Sequence, residues 1–280
     1  MIAPFVDVAE LERLRAQGGV VIADTRWYLD GRSGADAFAA GHLPGAVFVD
    51  LDRWLAAPPS AAAGRHPLPE PDVFAAGMSA AGIGDDSLVV AYDDAGGVIA
   101  ARIVWMLRTL GVEAAVLDGG IGAWQRAHSG QALESGAGEV RAASFTPRPW
   151  PDAALASIDE TQQRAADGSA LVLDARTIDR YRGETEPVDA RAGHIPGAAH
   201  LSCRDNVAAD GTLLDTATLR DRLTALGAAD RPVISYCGSG VTACHTLLAL
   251  EHVGFTPGRL YPGWWSQYAA DTARPLATAE

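Results

Sequence analysis

The stretch Val233-Ile234-Ser235-Tyr236-Cys237-Gly238-Ser239-Gly240-Val241-Thr242 decides the reading of this chain. Val233 to Tyr236 predict a short buried strand. Cys237 then enters a Gly-Ser-Gly loop, and from Val241 to Val253 the apolar pattern suits a helix. A cysteine between a strand end and a helix start meets unpaired backbone N–H groups and the positive end of the helix dipole. Both favour the thiolate, the nucleophilic form of cysteine. The glycines let the backbone curl without a Cβ clash.

Working outward, the chain repeats itself. Val20 to Arg26 reads as a strand ending in Asp24-Thr25-Arg26, and Leu171 to Arg176 repeats it with Asp174-Ala175-Arg176. Gly41-His42-Leu43-Pro44-Gly45-Ala46 is echoed by Gly193-His194-Ile195-Pro196-Gly197-Ala198. Leu88 to Tyr92 matches Val233 to Tyr236, and Asp118-Gly119-Gly120 with Trp124 parallels Pro262-Gly263-Trp264-Trp265. The order is kept and the offsets stay between 144 and 152 residues, so the chain is two copies of one unit. Pro147, Pro149 and Pro151 alternate around Arg148 and Trp150, which predicts an extended linker. The expected organisation is a first domain over 1–138, a linker over 139–152 and a second domain over 153–280. Strands alternating with helical patterns (Leu11 to Arg15, Val98 to Leu110, Leu219 to Leu226, Val241 to Val253) imply an α/β fold. Each domain should hold a mainly parallel sheet flanked by helices, with ligands at the carboxyl ends of the strands.

Composition narrows the function classes. The 280 residues are 48% apolar and 20% charged, as in folded globular proteins. A net charge of −13 argues against general nucleic-acid or anionic-membrane binding, while leaving room for a positive pocket. Three cysteines without close pairing make no disulfide framework, and no Cys/His cluster has zinc spacing, so no metal or organic cofactor is expected. Met1 to Asp7 lacks a basic region followed by a long apolar segment, and the apolar run Val98 to Leu107 is broken by Arg102. A cytoplasmic protein with a reactive free thiol is the expectation.

Taken together, the paired Asp-x-Arg strands, the two Gly-His-[Leu/Ile]-Pro-Gly-Ala segments and the lone Cys loop in the second half resemble a two-domain rhodanese, a sulfurtransferase. The loop Cys237-Gly238-Ser239-Gly240-Val241-Thr242 looks more like the 3-mercaptopyruvate version than the vertebrate thiosulfate version, which carries Arg and Lys after the cysteine. The resemblance implies two tandem rhodanese-like domains, the second catalytic. Aligning Tyr92 with Tyr236 puts Asp93 where Cys237 stands, in a loop one residue longer. A carboxylate cannot accept a sulfane sulfur, so the first domain is expected to be inert.

The implied chemistry is attack by Cys237 on the donor's sulfur, a persulfide cradled by the amides of Gly238, Gly240, Val241 and Thr242, and transfer to a thiol or cyanide acceptor, thioredoxin among the candidates. The resemblance further assigns Ser239 and Asp52 to a Cys-Ser-Asp arrangement and brings His66 to the same cleft. Arg180 falls at the family's first substrate arginine, and Arg191 follows the altered run Glu186-Pro187-Val188-Asp189 where a second is expected. Arg182 is assigned to a structural salt-bridge network. Asp24 with Arg26 and Asp174 with Arg176 are expected to pair within each domain, and His42 and His194 to brace turns. Cys203 and Cys244 are expected in the core, with a redox role open for Cys203; Trp264 and Trp265 either wall a substrate tunnel or pack at the domain interface.

Two readings compete. A phosphatase needs Cys-x5-Arg, but the residue six beyond Cys237 is Ala243. A non-catalytic binding or sulfur-sensing module is the other, and an intact cysteine loop argues against it. Between donors, thiosulfate is a dianion and the loop itself offers no basic residue, so mercaptopyruvate is expected to be the better one, with thiosulfate the alternative.

Overall fold

Alternating strands and helices build two parallel sheets in the computed structural model, which describes residues 2–278. In the first half the strands are β1 (Phe5–Val6), β2 (Val20–Asp24), β3 (Ala46–Phe48), β4 (Leu88–Tyr92) and β5 (Glu113–Leu117), in the order β1-β5-β4-β2-β3. In the second they are β6 (Leu171–Asp174), β7 (Ala199–His200), β8 (Val233–Tyr236) and β9 (Arg259–Leu260), in the order β7-β6-β8-β9. Every paired strand runs parallel to its neighbour. The helices are α1 (Val8–Gln17), α2 (Gly34–Ala40), α3 (Pro71–Ala80), α4 (Ala101–Thr109) and α5 (Gly120–Ala127), then α6 (Ile158–Asp167), α7 (Ile178–Arg182), α8 (Thr216–Ala225), α9 (Ala243–His252) and α10 (Trp264–Ala270).

Side-chain alternation along the central strands fixes which face each residue meets. Val90 and Tyr92 of β4 pack with Leu11, Phe38 and Trp124, while Ile234 and Tyr236 of β8 pack with Ile195, Trp265 and Tyr268. The two tyrosines do the same second job. Tyr92 Oη accepts the Leu43 N–H at 3.1 Å and Tyr236 Oη accepts the Ile195 N–H at 3.2 Å. Burial pushes both phenols above their usual pKa, so they stay neutral. Each thereby holds a Pro-Gly turn: Ala46 N–H returns to Leu43 O and Ala198 N–H to Ile195 O, with Gly45 and Gly197 at positive φ. That is why Gly-His-x-Pro-Gly-Ala recurs, since the turn feeds β3 in one copy and β7 in the other.

The chain divides into two compact units that do not follow the sequence halves throughout. The first holds the described residues through Ala57, with Pro69–Trp150 and Val207–Leu213; the second holds Pro58–Leu68, Pro151–Asn206 and the described residues from Leu214. Pro58–Leu68 therefore leaves the first repeat for the second unit. Of the extended linker expected over 139–152, residues 139–150 belong to the first unit. There Arg148 donates to Leu110 O at 2.6 Å, Trp150 Nε1 donates to Pro69 O at 2.8 Å, and Phe145 meets Phe74 edge-on. Alternating prolines made the segment extended, and its aromatic and cationic side chains gave it a surface to lie on.

Among the described residues no helix is long and apolar enough to cross a membrane. Arg102, which interrupts the apolar run Val98 to Leu107, is fully buried in the first unit and donates to Leu55 O at 2.9 and 2.6 Å.

Candidate active site

β8 lies between β6 and β9, and Cys237 is the first residue beyond its carboxyl end. The loop that follows turns back so tightly that the Gly240 N–H donates to Cys237 Sγ at 2.9 Å. Gly240 has φ +82°, and a Cβ there would fall inside the indole of Trp264. No other residue fits that position. The outer side of the loop is fixed as well: Trp265 N–H donates to Cys237 O at 2.9 Å and Ser266 N–H to Gly238 O at 3.2 Å. With its carbonyls engaged on that side, the loop has α9 starting at Ala243 and its dipole's positive end on the sulfur's side. An anion on this sulfur is therefore met by backbone dipoles without a metal. Ser239 is the half-exposed residue of the loop, and Cys237 itself is 3% exposed.

A ladder of alternating charges runs up to the loop. Asp174 and Arg176 form a buried pair at 2.6 Å, and Arg176 also reaches Glu186 at 3.1 Å. Arg180 holds Glu186 at 2.6 Å and Asp189 at 2.9 Å, and Asp189 is paired in turn with Arg65. The carboxylates are the deeper groups: Asp174, Glu186 and Asp189 keep at most 4% of their side-chain exposure, against 16% for Arg180 and 25% for Arg65. Both outer guanidiniums reach the cysteine loop. A Cβ built on Gly238 would lie 3.0 Å from Arg65 Nη2 and 3.1 Å from Arg180 Nη1. Burial lowers the pKa of Arg65, against the opposing fields of Asp189 and Cys237. Burial likewise raises that of Asp189, with Arg65 pulling it back.

Arg180 thus stands at the loop where the sequence placed it. Arg191 does not belong to this cluster. Its guanidinium donates to four backbone carbonyls, those of Ala269, Arg274, Tyr268 and Asp271, at 2.6 to 3.0 Å. It closes the carboxyl end of α10, with four of its five N–H donors spent on backbone carbonyls there. A guanidinium matches several converging carbonyls as well as it matches a carboxylate, and sequence spacing cannot tell the two apart. The basic group that the sequence lacked near the loop comes instead from Arg65.

His66 belongs to the same Pro58–Leu68 segment, and its carbonyl accepts from Trp264 Nε1 at 3.2 Å. Asp52 lies in the first unit, exposed on the π-helical turn Leu51–Leu55, where it accepts from Trp27 Nε1 at 3.0 Å. Val241 is buried and Thr242 precedes α9. Cys203 is buried, and burial pushes its thiol up to about 12, with Cys237 adding to the shift and Thr242 opposing it. Cys244 packs in the core, its thiol 3.5 Å from Gly240 O. Trp264 backs the loop, and Trp265 lies under the Arg176 guanidinium at 4.4 Å. His42 and His194 stack on Phe38 and Tyr181 and hydrogen-bond the carbonyls of those same residues. Arg182 makes only a loose exposed pair with Glu184 at 3.8 Å. Among the described residues no group of three or more His, Cys, Asp or Glu side chains could hold a metal.

Arg65 and Asp189 were the site residues the sequence did not reveal. The one signal was position: Arg65 immediately precedes His66 in Arg65-His66-Pro67.

Comparison with known proteins gives the same outline. Residues 7–127 and 157–271 each match the Rhodanese-like domain family. A Pseudomonas aeruginosa protein named "Probable 3-mercaptopyruvate sulfurtransferase" is 42% identical over 99% of this chain and 99% of its own length. The Arabidopsis thaliana "Thiosulfate/3-mercaptopyruvate sulfurtransferase 1, mitochondrial" is 31% identical over 99% of this chain and 79% of its own. The solved structure of 3-mercaptopyruvate sulfurtransferase from Leishmania major superposes with a TM-score of 0.84 at 31% identity, covering 98% of this chain and 76% of that one.

Proposed function

Because this chain belongs to the rhodanese family, we propose that it is a sulfurtransferase carrying a sulfane sulfur from 3-mercaptopyruvate through a Cys237 persulfide to a thiol or cyanide. The observation that carries the reading is the position of Cys237: its sulfur takes the Gly240 N–H at the start of α9 while two guanidiniums stand over Gly238.

In the first half-reaction the Cys237 thiolate attacks the donor's sulfur. An S–S bond forms and the donor's C–S bond breaks, with its electron pair passing to the enolate of pyruvate. Ser239 supplies a proton or hydrogen bond to that oxygen, with His66 beside the same loop. The amides of Gly238, Gly240, Val241 and Thr242 hold the persulfide anion, and Arg180 binds the donor's carboxylate. In the second half-reaction an acceptor thiolate, thioredoxin among the candidates, attacks the outer sulfur and Cys237 leaves as thiolate. Cyanide in that role leaves as thiocyanate. Two half-reactions sharing one enzyme intermediate give ping-pong kinetics. The first unit is inert, because Asp93 holds the place of the nucleophile. A reactive thiol fits a reducing compartment, the cytoplasm.

Thiosulfate is the alternative donor, favoured by the second guanidinium that Arg65 brings to the loop. Kinetics with both donors on one preparation rank them, and a higher kcat/KM for thiosulfate reverses the order. The central test is mass spectrometry after incubation with 3-mercaptopyruvate. A gain of about 32 Da, one sulfur, is expected on Cys237, and Cys237→Ser should lose the adduct and at least ~10³-fold in turnover. A Cys237→Ser protein that still loads and transfers sulfur refutes the reading.

A further inference from the structure

The charge ladder below Cys237 leaves an unused remainder. Each Arg180 nitrogen that faces a carboxylate is engaged: Nε with Glu186, and Nη2 with both Glu186 and Asp189. Arg65 spends Nη1 on Asp189. What remains are Arg180 Nη1, Arg65 Nη2 and the buried Arg65 Nε, none of which has a hydrogen-bond partner among the described residues. Of these, Arg180 Nη1 and Arg65 Nη2 come nearest to Gly238, at 3.1 and 3.0 Å from where its Cβ would be, with the engaged Arg180 Nη2 at 3.4 Å. The carboxylates therefore do more than neutralise charge. Lying deeper than the arginines, they hold both planar forks with one edge turned to the loop. A side chain at residue 238 would enter the space between the forks, and glycine keeps it open.

From this juxtaposition we propose that Arg65 is the second guanidinium of the donor's anion clamp, acting with Arg180, and that Asp189 is the positioning residue for both. Arg191 is held by four carbonyls at the end of α10, whereas Arg65 has a nitrogen aimed at the nucleophile's loop. The segment Pro58–Leu68 is built to deliver it. Ser60 and Gly64 pair across a short bend, Gly64 takes φ +88° against Gly263 O, and the Arg65 N–H donates to Ser266 Oγ at 3.1 Å. Ser266 also donates its N–H to Gly238 O, so one residue ties the arginine's backbone to the loop it serves. The ligand is a carboxylate or an equivalent oxyanion on the sulfur donor, one oxygen to each guanidinium. The assignment deepens the sulfur-transfer reading and rests on it for the identity of that anion.

The test reads the clamp without requiring turnover. Cys237 in the intact protein is alkylated with iodoacetate, which is anionic, and with iodoacetamide, its neutral analogue, and the modified peptide is quantified. Arg65→Gln should lower the iodoacetate-to-iodoacetamide rate ratio about 10-fold and raise KM for 3-mercaptopyruvate about 10- to 100-fold, with kcat less affected. The double variant Arg65→Gln/Asp189→Asn removes both charges and leaves no buried carboxylate unpaired, so it serves if the single variant does not fold. It should show the same fall in ratio. A purely structural Arg65 would change both reagents equally. An unchanged ratio and KM in both variants, with the wild type transferring sulfur, overturns the clamp alone. A wild type that never forms the persulfide, yet shows the Arg65-dependent ratio, keeps the clamp and overturns the sulfur-transfer reading.

Discussion

The loops after β4 and β8 begin alike, one residue past Tyr92 and Tyr236, and both run into a buried helix. In the second unit the loop folds around a sulfur that takes one amide, that of Gly240. In the first it folds around Asp93, fully buried, whose Oδ1 accepts from Ala95 and Gly97 and whose Oδ2 accepts from Ile99 and Ala100, all at 2.7 to 2.8 Å. Burial raises the Asp93 pKa, and the four donors pull it the other way. The two loops show what a ring of amides at a sheet–helix junction is for: it accommodates an anion. In the first unit the Asp93 carboxylate fills the ring from within the chain. In the second unit the ring faces the Cys237 sulfur, where the proposed persulfide would form. The extra residue in the first loop gives the carboxylate the reach to fill the ring.

The largest test of this contrast is Asp93→Asn. It preserves shape but turns an N–H₂ toward two N–H donors, so the variant should lose at least ~3 kcal/mol in chemical denaturation. A loss under about 1 kcal/mol would mean that the ring tolerates a neutral group and that charge is not its purpose. Cys237→Ser should do the reverse, abolishing transfer while leaving stability nearly intact.

Next in size is Arg191→Ala. Four carbonyls at the end of α10 lose their donor, and about 2 kcal/mol of stability should go with it. KM for the donor should stay put. An increase in KM as large as that expected for Arg65→Gln would return Arg191 to the site.

The smallest effect concerns the helices behind the loops. Arg102 near the start of α4 and His245 near the start of α9 are both fully buried. Arginine does not titrate, whereas burial lowers the His245 pKa to about 3. Unfolded histidine takes up a proton near pH 6.5, and folded His245 refuses it until about pH 3, so stability is lost as pH falls between those values. Between pH 7 and pH 5 this amounts to about 2 kcal/mol. Denaturation at the two pH values should show the loss in the wild type and a smaller one in His245→Gln. Equal slopes would mean that the imidazole titrates normally.

Much of this was legible in residues close together in the chain. The Asp-x-Arg strands, the Pro-Gly turns, the Cys237 loop and the substitution of Asp93 follow from local chemistry and from repetition, because a turn, a strand end and a helix start are each specified within a few residues. The buried Asp24–Arg26 and Asp174–Arg176 pairs were readable for the same reason, their partners lying two positions apart.

What only the tertiary structure decided is where long, flexible side chains end. Arg65 is distant from Cys237 in sequence yet reaches Gly238, while Arg191, much nearer to Arg180 along the chain, turns away to cap α10. A guanidinium at the end of a long stem can serve a carboxylate, a helix end or a substrate equally well. Which one it serves is set by the packing of backbone segments that the sequence does not place side by side.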